Sequence, residues 1–306
     1  MNDVMNEEAL RVALPPDPNT RPPHWSLPAG ACDSQIHVFG PPHKFPYADS
    51  RRYTPPAAPI EHYWNVLKIT GISRAVVTQP TAHGVDNRAT LDAIARSSGA
   101  MLGIAAINTT TTDAELEELA AGGVRGARFS LMGDREGSPE DIAAQLPRMQ
   151  AHDWILDLHV DPDDFLEHEQ FVRGLPLVTL IDHLARVNPT LGLDQPAFKL
   201  LLDLLKDDRY WVKVCSLDKL SAVPKAYVEG GLPFRDMVPF AQAVIAAAPD
   251  RVVWGSDWPH GNTFVPGRTP NEGDLLDLLA EIAPDEATRT RILVDNPSRL
   301  FGFPPV

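Results

Sequence analysis

Val252-Val253-Trp254-Gly255-Ser256-Asp257-Trp258-Pro259-His260 is the stretch from which the rest of the chain is read. Three apolar residues, a glycine and a serine lead to an aspartate, and Trp258-Pro259 then ends the segment. This is the pattern of a buried strand that delivers one carboxylate to its C-terminal mouth. Taken alone, Asp257 reads equally well as the cap of the element that follows. An early partner, Asp33-Ser34-Gln35-Ile36-His37-Val38-Phe39-Gly40, decides between the two, because it is another apolar-flanked strand ending in polar groups. Asp257 is therefore the first candidate for a catalytic residue.

Working outward, apolar and β-branched runs recur at 31–38, 74–79, 101–107, 124–129, 155–160, 177–181, 211–214 and 252–255. Amphipathic helical patterns lie between them at 89–96, 113–121, 141–151, 162–172, 195–206, 234–247 and 271–282. Eight strands alternating with helices predict a single α/β domain, a (β/α)8 TIM barrel, over residues 30–306. The alternative is an open doubly wound sheet, but no Gly-X-Gly-X-X-Gly follows a strand and no phosphate loop is present. Residues 1–29 carry Pro15, Pro16, Pro18, Pro22, Pro23 and Pro28 and read as an extended arm wrapping the barrel. The proline-rich loop 41–59, with Tyr47, Arg51, Arg52 and Tyr53, is long enough to be a lid or binding loop. The tail Asn296-Pro297-Ser298-Arg299-Leu300-Phe301 is expected to tuck Leu300 and Phe301 onto the barrel.

The chain has 306 residues, 43% of them hydrophobic, enough for one large core. A net charge of -14 argues against nucleic acid or an anionic membrane as a partner, because both would be repelled. It leaves room for a small anionic substrate met by a few converging cations. Cys32 and Cys215 form no disulfide framework and no Cys-X-X-Cys motif. The acidic start Met1–Glu8 is no signal peptide and no run approaches a membrane span, so a cytoplasmic protein is expected. Oligomeric state is not legible.

A barrel gathers its chemistry at the C-terminal ends of its strands, and polar residues collect there. Gln35 and His37 end the first strand; Gln79, with His83 beyond it, ends the second; Arg128 ends the fourth and His159 the fifth. Asp182 and His183 end the sixth, with Arg186 just beyond; Lys213 and Ser216 end the seventh, with Lys219 beyond; Asp257 and His260 end the eighth. A lone histidine is usually a satisfied core or surface residue, but His37, His159, His183 and Asp257 at matching strand ends form a constellation. His43, His62, His152 and His168 fall in loops or helical patterns and read as surface residues.

These residues resemble the amidohydrolase superfamily, and within it the metal-sparing branch typified by 2-pyrone-4,6-dicarboxylate lactonase. The resemblance covers nearly the whole chain after the arm. It rests on Asp33–Gly40, Tyr53, His83-Gly84-Val85-Asp86-Asn87, Gly126-Ala127-Arg128-Phe129, Ile181-Asp182-His183-Leu184-Ala185-Arg186 and Val253–His260. It implies a TIM-barrel lactonase in which Asp257 activates water as general base and His37 and His183 polarise the lactone carbonyl. Arg128, Arg186 and Tyr53 would hold substrate carboxylates, with Gln35, His83, His159, Lys219 and His260 as further binding candidates. The chemistry is sound: a carboxylate is a competent base for water once the carbonyl is polarised, and guanidinium matches a planar carboxylate.

The departures are as informative. The superfamily's metal-binding His-X-His is here Gln35-Ile36-His37, and a neutral amide oxygen is a poor Zn²⁺ ligand. The first expectation is therefore that no cofactor is required. Against it stands His159, at a position where metal-dependent relatives carry a ligand histidine. A single divalent metal such as Zn²⁺, held by His37, His159 and Asp257, is the alternative. Arg135 stands near the place of an arginine that follows the fourth strand in the pyrone enzyme, and Lys219 replaces another arginine by a point charge. A sulfonated or carboxylated muconolactone, or a sugar-acid lactone, then fits as well as the pyrone. The competing readings are a metal-dependent amidohydrolase or decarboxylase, and a non-catalytic anion-binding barrel.

Overall fold

The computed structural model describes residues 10–132, 137–223 and 231–304. Its centre is a sheet of eight parallel strands hydrogen-bonded in sequence order: β1 Cys32–Ile36, β2 Arg74–Thr78, β3 Met101–Ala105, β4 Val124–Leu131, β5 Ile155–Val160, β6 Thr179–Ile181, β7 Tyr210–Val214 and β8 Val252–Trp254. Parallel strands covered by helices are buried on both faces and so read as continuous apolar runs. The sheet closes between β8 and β1 through a bridge of Ile36 with Trp258. There the His37 amide donates to the Trp258 carbonyl at 2.7 Å, and the Asp257 amide to the Gln35 carbonyl at 2.9 Å. Gly255 makes that approach feasible, because a Cβ there would lie 2.6 Å from the Gln35 Cβ.

Alternation along the strands sorts the barrel interior into layers. At the N-terminal end Cys32, Val76, Ile104, Ile155, Leu180, Trp211 and Val253 pack with Phe301, as expected of the tail, and with Phe303, while Leu300 is only partly buried against them. On β4 the corresponding residue is Gly126, whose Cβ would sit 2.6 Å from Ile155 Cγ1. Above the apolar layer the interior turns polar, with Gln35, Thr78, Asp157, Asp182 and Lys213 all buried. A register shift between Asp33 and Ile36 of β1 accompanies this change.

The predicted helices are present with moved boundaries. Ser138 caps Pro139–Ala151 through a capping box with Asp141, which starts that helix before the apolar pattern does. The pattern over 162–172 breaks at His168 into Pro162–Glu167 and Glu169–Arg173. Helices outside those patterns include the short Leu217–Leu220, Glu286–Thr290 and Asn296–Phe301 and the longer Ile60–Thr70. The last of these follows the proline-rich loop and is rich in β-branched and aromatic residues, so propensity spoke against it. Its signal was Gly71, the left-handed residue that ends it.

The arm runs over the barrel wall without helix from residue 10 onward. Arg21 binds Asp274 and Asp277 of the helix Glu272–Ile282, and the Trp25 indole donates to the Leu276 carbonyl at 3.0 Å. Loop 41–59 is fastened by a Phe39–Ala58 bridge and by the Ala48 amide on the Ala82 carbonyl. No helix among the described residues is long and apolar enough to cross a membrane.

Candidate active site

Asp257 stands at the mouth of β8, 2% exposed, with a left-handed backbone (φ 65°). Its Oδ1 faces His37 Nε2 at 3.2 Å. Its Oδ2 accepts from the Ser216 hydroxyl and, at 2.6 Å, from Lys219 Nζ. Burial opposes the charge, but Lys219, His37 and His183 outweigh it and hold the carboxyl well below its ordinary range. Asp257 is thus an ionised carboxylate whose two oxygens are both engaged.

His37 Nδ1 donates to the Thr78 carbonyl at 2.7 Å, which turns Nε2 toward Asp257. The Gln35 amide lies beneath it, its oxygen accepting from Lys213 Nζ at 2.6 Å and from the Thr78 hydroxyl at 2.9 Å. That fixes the amide orientation and leaves the NH2 group facing His37 Nε2 at 3.4 Å.

Lys213 is the centre of the polar layer. Its fully buried ammonium reaches Asp157 Oδ2 at 2.8 Å and Asp182 Oδ1 at 3.2 Å as well as Gln35. Burial opposes its charge, yet the two aspartates raise its pKa. Asp182 also receives Arg128, with Nε at 2.9 Å and Nη2 at 2.5 Å on the same Oδ2. Burial works against Asp182, while His183, Lys213 and Arg128 hold it well below the usual carboxylate range.

The two remaining imidazoles differ. After β6 the residues His183, Leu184, Ala185 and Arg186 are all left-handed, with φ between 49° and 54°. Such backbone costs about 1–3 kcal/mol per residue and persists only where surrounding contacts enforce it. The turn seats His183 with Nδ1 2.7 Å from Cys215 Sγ and Nε2 3.2 Å from Asp182 Oδ2, so both nitrogens are committed. Burial pushes His183 down to about 3. His159 stands edge-on to it, ring centroids 5.3 Å apart. Its Nδ1 lies 3.5 Å from Ser130 Oγ, and its buried Nε2 has no partner among the described residues. Burial, then Arg128 and His183, push His159 well below its ordinary value, leaving it neutral.

Other expected residues lie farther out. Arg186 is at the rim, paired with Asp161 at 2.6 Å and 28% exposed. Tyr53 packs edge-on to Phe264 and lies close to Gly261, and burial pushes its hydroxyl up to about 12. His83 has both nitrogens on main chain, accepting from the Gly40 amide at 3.2 Å and donating to the Pro46 carbonyl at 2.9 Å. His260 is fully buried with Nε2 3.2 Å from Glu272, which also receives the Thr20 hydroxyl of the arm. Arg135 lies outside the described residues. Of the surface histidines, His43 and His62 are exposed and His152 and His168 half-buried.

His37, His159 and Asp257, the ligand set of the metal alternative, do not gather their donor atoms within 4.8 Å among the described residues. His37 donates Nδ1–H to Thr78 and keeps Nε2 turned to Asp257, whose Oδ2 is held by Ser216 and Lys219, while His159 stands edge-on to His183. Among the described residues the group whose donor atoms gather within 4.8 Å is Asp182, His183 and Cys215. There Asp182 is already neutralised by Arg128 and Lys213, and burial raises the Cys215 thiol well above its ordinary range, whereas a metal needs thiolate. The polar layer already contains its cation, Lys213.

Lys213 and Asp182 stand at strand ends in the sequence with no role legible there, and Asp157 does not stand out among them. The signal was a charged residue inside an apolar run, Leu156-Asp157-Leu158 and Val212-Lys213-Val214. Opposite charges on inward positions of one barrel have to pair.

The amidohydrolase family profile matches residues 32–303. Over 97% of this chain and 98% of the relative, the chain is 41% identical to the 4-sulfomuconolactone hydrolase of Hydrogenophaga intermedia. It is 38% identical to a 2-pyrone-4,6-dicarboxylate hydrolase of Comamonas testosteroni, over 92% and 93% of the two chains. It is 30% identical to a D-galactarolactone isomerase of Agrobacterium fabrum strain C58, over 93% and 95%.

Proposed function

The chain belongs to the amidohydrolase family, and from that premise we propose that it hydrolyses a lactone bearing an anionic group, with Asp257 as the base that activates water. The observation that carries this reading is Asp257 itself: an ionised carboxylate facing His37 Nε2 at the bottom of a mouth whose rim carries Lys219 and Arg186. Relatives named as hydrolases of a sulfonated and of a dicarboxylated lactone support the substrate class.

Water held against Asp257 Oδ1 attacks the lactone carbonyl and gives its proton to that oxygen, beside His37 Nε2. The acyl–oxygen bond then breaks, and the proton goes to the departing ring oxygen, giving a hydroxy acid or its keto tautomer. Developing negative charge on the carbonyl oxygen needs donors already in place. Arg128, anchored on Asp182, and the open Nε2 of His159 supply them in this reading. His183, with both nitrogens committed, acts as a positioning residue for Arg128 and Asp182. The donor set supports chemistry without a metal, because Lys213 neutralises the polar layer.

The isomerase relative motivates a second reading, in which a hydroxyl of the substrate replaces water as nucleophile and the lactone migrates. Both use the same base. Turnover of a hydroxylated sugar-acid lactone in H2¹⁸O separates them: hydrolysis places one ¹⁸O in the product carboxylate, whereas isomerisation gives an unlabelled product of unchanged mass.

A further inference from the structure

Lys219 is placed oddly for a residue that only binds substrate. It sits on the short turn of helix Leu217–Leu220 after β7, and its ammonium is not open toward the mouth but folded back onto Asp257 Oδ2 at 2.6 Å. Its side chain is a quarter exposed, whereas Asp257 is 2% exposed. One end of this ion pair is therefore fixed at the bottom of the site and the other stands at the rim. The Ser216 hydroxyl binds the same oxygen, so Oδ2 keeps a donor when Lys219 leaves. A lysine suits such an exchange, since its charge rides on a flexible stem and makes no two-pronged contact that has to be broken.

Resting on the lactonase reading above, we propose that Lys219 keeps Asp257 in a paired, unreactive state until an anionic substituent of the substrate draws the ammonium away. The substrate's own carboxylate or sulfonate thereby releases the base. The charge beside the ring then determines specificity through turnover as well as through binding. An uncharged lactone of the same shape cannot compensate Lys219 for leaving Asp257 and meets a base that is still occupied. The direction of the Asp257 shift agrees, since Lys219 is the first of the groups that lower it against burial.

The test is a double-mutant cycle on binding of isophthalate, an unreactive aromatic dicarboxylate, by calorimetry of the full chain. Wild type, Asp257→Asn, Lys219→Met and the double variant are compared, each first shown folded by thermal melting. If the anion has to take Lys219 from Asp257, Asp257→Asn tightens isophthalate about tenfold or more in the Lys219 background and less than about twofold in the Lys219→Met background. Equal tightening in both backgrounds, or none in either, overturns the proposal. In parallel, kcat/KM is measured on 2-pyrone-4,6-dicarboxylate and its dimethyl ester. Lys219→Met is expected to lower the first about a hundredfold and to raise the second several-fold; a fall on both by the same factor contradicts the release of the base. Coupled binding without opening of either lactone would leave the ion-pair exchange standing and remove the lactonase reading. Hydrolysis with an additive cycle would do the reverse.

Discussion

Nζ of Lys213 lies 2.6 Å from Oε1 of Gln35, and that contact joins the strand-one amide to two buried aspartates through one ammonium. Gln35 therefore orients a permanent cation, with its NH2 group turned toward His37.

The first prediction concerns stability. Removing the cation leaves Asp157 and Asp182 sharing a dry layer with Arg128 alone, and breaking a buried pair costs about 3–5 kcal/mol. Lys213→Met is expected to lower the melting temperature strongly. Lys213→Met combined with Asp157→Asn should recover part of that loss, giving a coupling energy of about 1 kcal/mol or more in chemical denaturation. Additive losses would show that the two side chains do not depend on each other.

The second concerns metal. With Lys213 in the polar layer and Asp257 Oδ2 held by Ser216 and Lys219, prolonged dialysis against EDTA is expected to leave kcat/KM within about twofold, and added Zn²⁺ not to raise it. A tenfold loss restored by Zn²⁺ would contradict this description of the layer.

The third is a pH dependence of stability. His183, at about 3, and His159, well below 6.5, remain neutral in the fold while their unfolded counterparts take up protons below pH 6.5. The unfolded chain then binds more protons, so the stabilisation present above pH 6.5 is lost as pH falls from 6.5 toward 3, by up to about 1.4 kcal/mol per pH unit for each group. His260, shifted upward, binds its proton more tightly in the fold and so opposes the decline at the upper end of this window. The melting temperature should drop steadily between pH 6.5 and 4, and His159→Gln should flatten the decline. An unchanged slope in that variant would assign the acid sensitivity elsewhere.

How much of this was legible beforehand follows from burial. The barrel could be counted because the parallel strands are covered on both faces and most of them read as largely apolar runs. Asp257, His37 and His159 could be picked out because they end such runs. The helix Ile60–Thr70 was not legible, since its β-branched and aromatic residues resemble a strand after a proline-rich loop. Nor were the hydrogen-bond commitments. That His183 spends Nδ1 on Cys215 and Nε2 on Asp182, while His159 keeps Nε2 open, depends on a left-handed turn and on β7 being the neighbour of β6. The two histidines look alike in sequence and differ only in the fold.

The fourth prediction tests the anchor. Arg128 grips Asp182 with Nε and Nη2, an arrangement lysine cannot reproduce, and in the proposed reading it also meets the substrate oxyanion. Arg128→Lys should lower kcat/KM about a hundredfold while shifting the melting temperature little, because Lys213 still neutralises Asp182. Activity within about threefold of wild type would remove Arg128 from the site.

The most direct measurement is ring opening of 4-sulfomuconolactone and 2-pyrone-4,6-dicarboxylate by chelated enzyme, followed by acid release at constant pH, with wild type and Asp257→Asn side by side. The predicted result is turnover of at least one of the two by wild type, and a loss on the order of 10²–10⁴-fold in Asp257→Asn with isophthalate binding retained. Turnover by Asp257→Asn equal to wild type, or none by wild type on either lactone, would contradict the assignment of this barrel as an anionic-lactone hydrolase with Asp257 as its base.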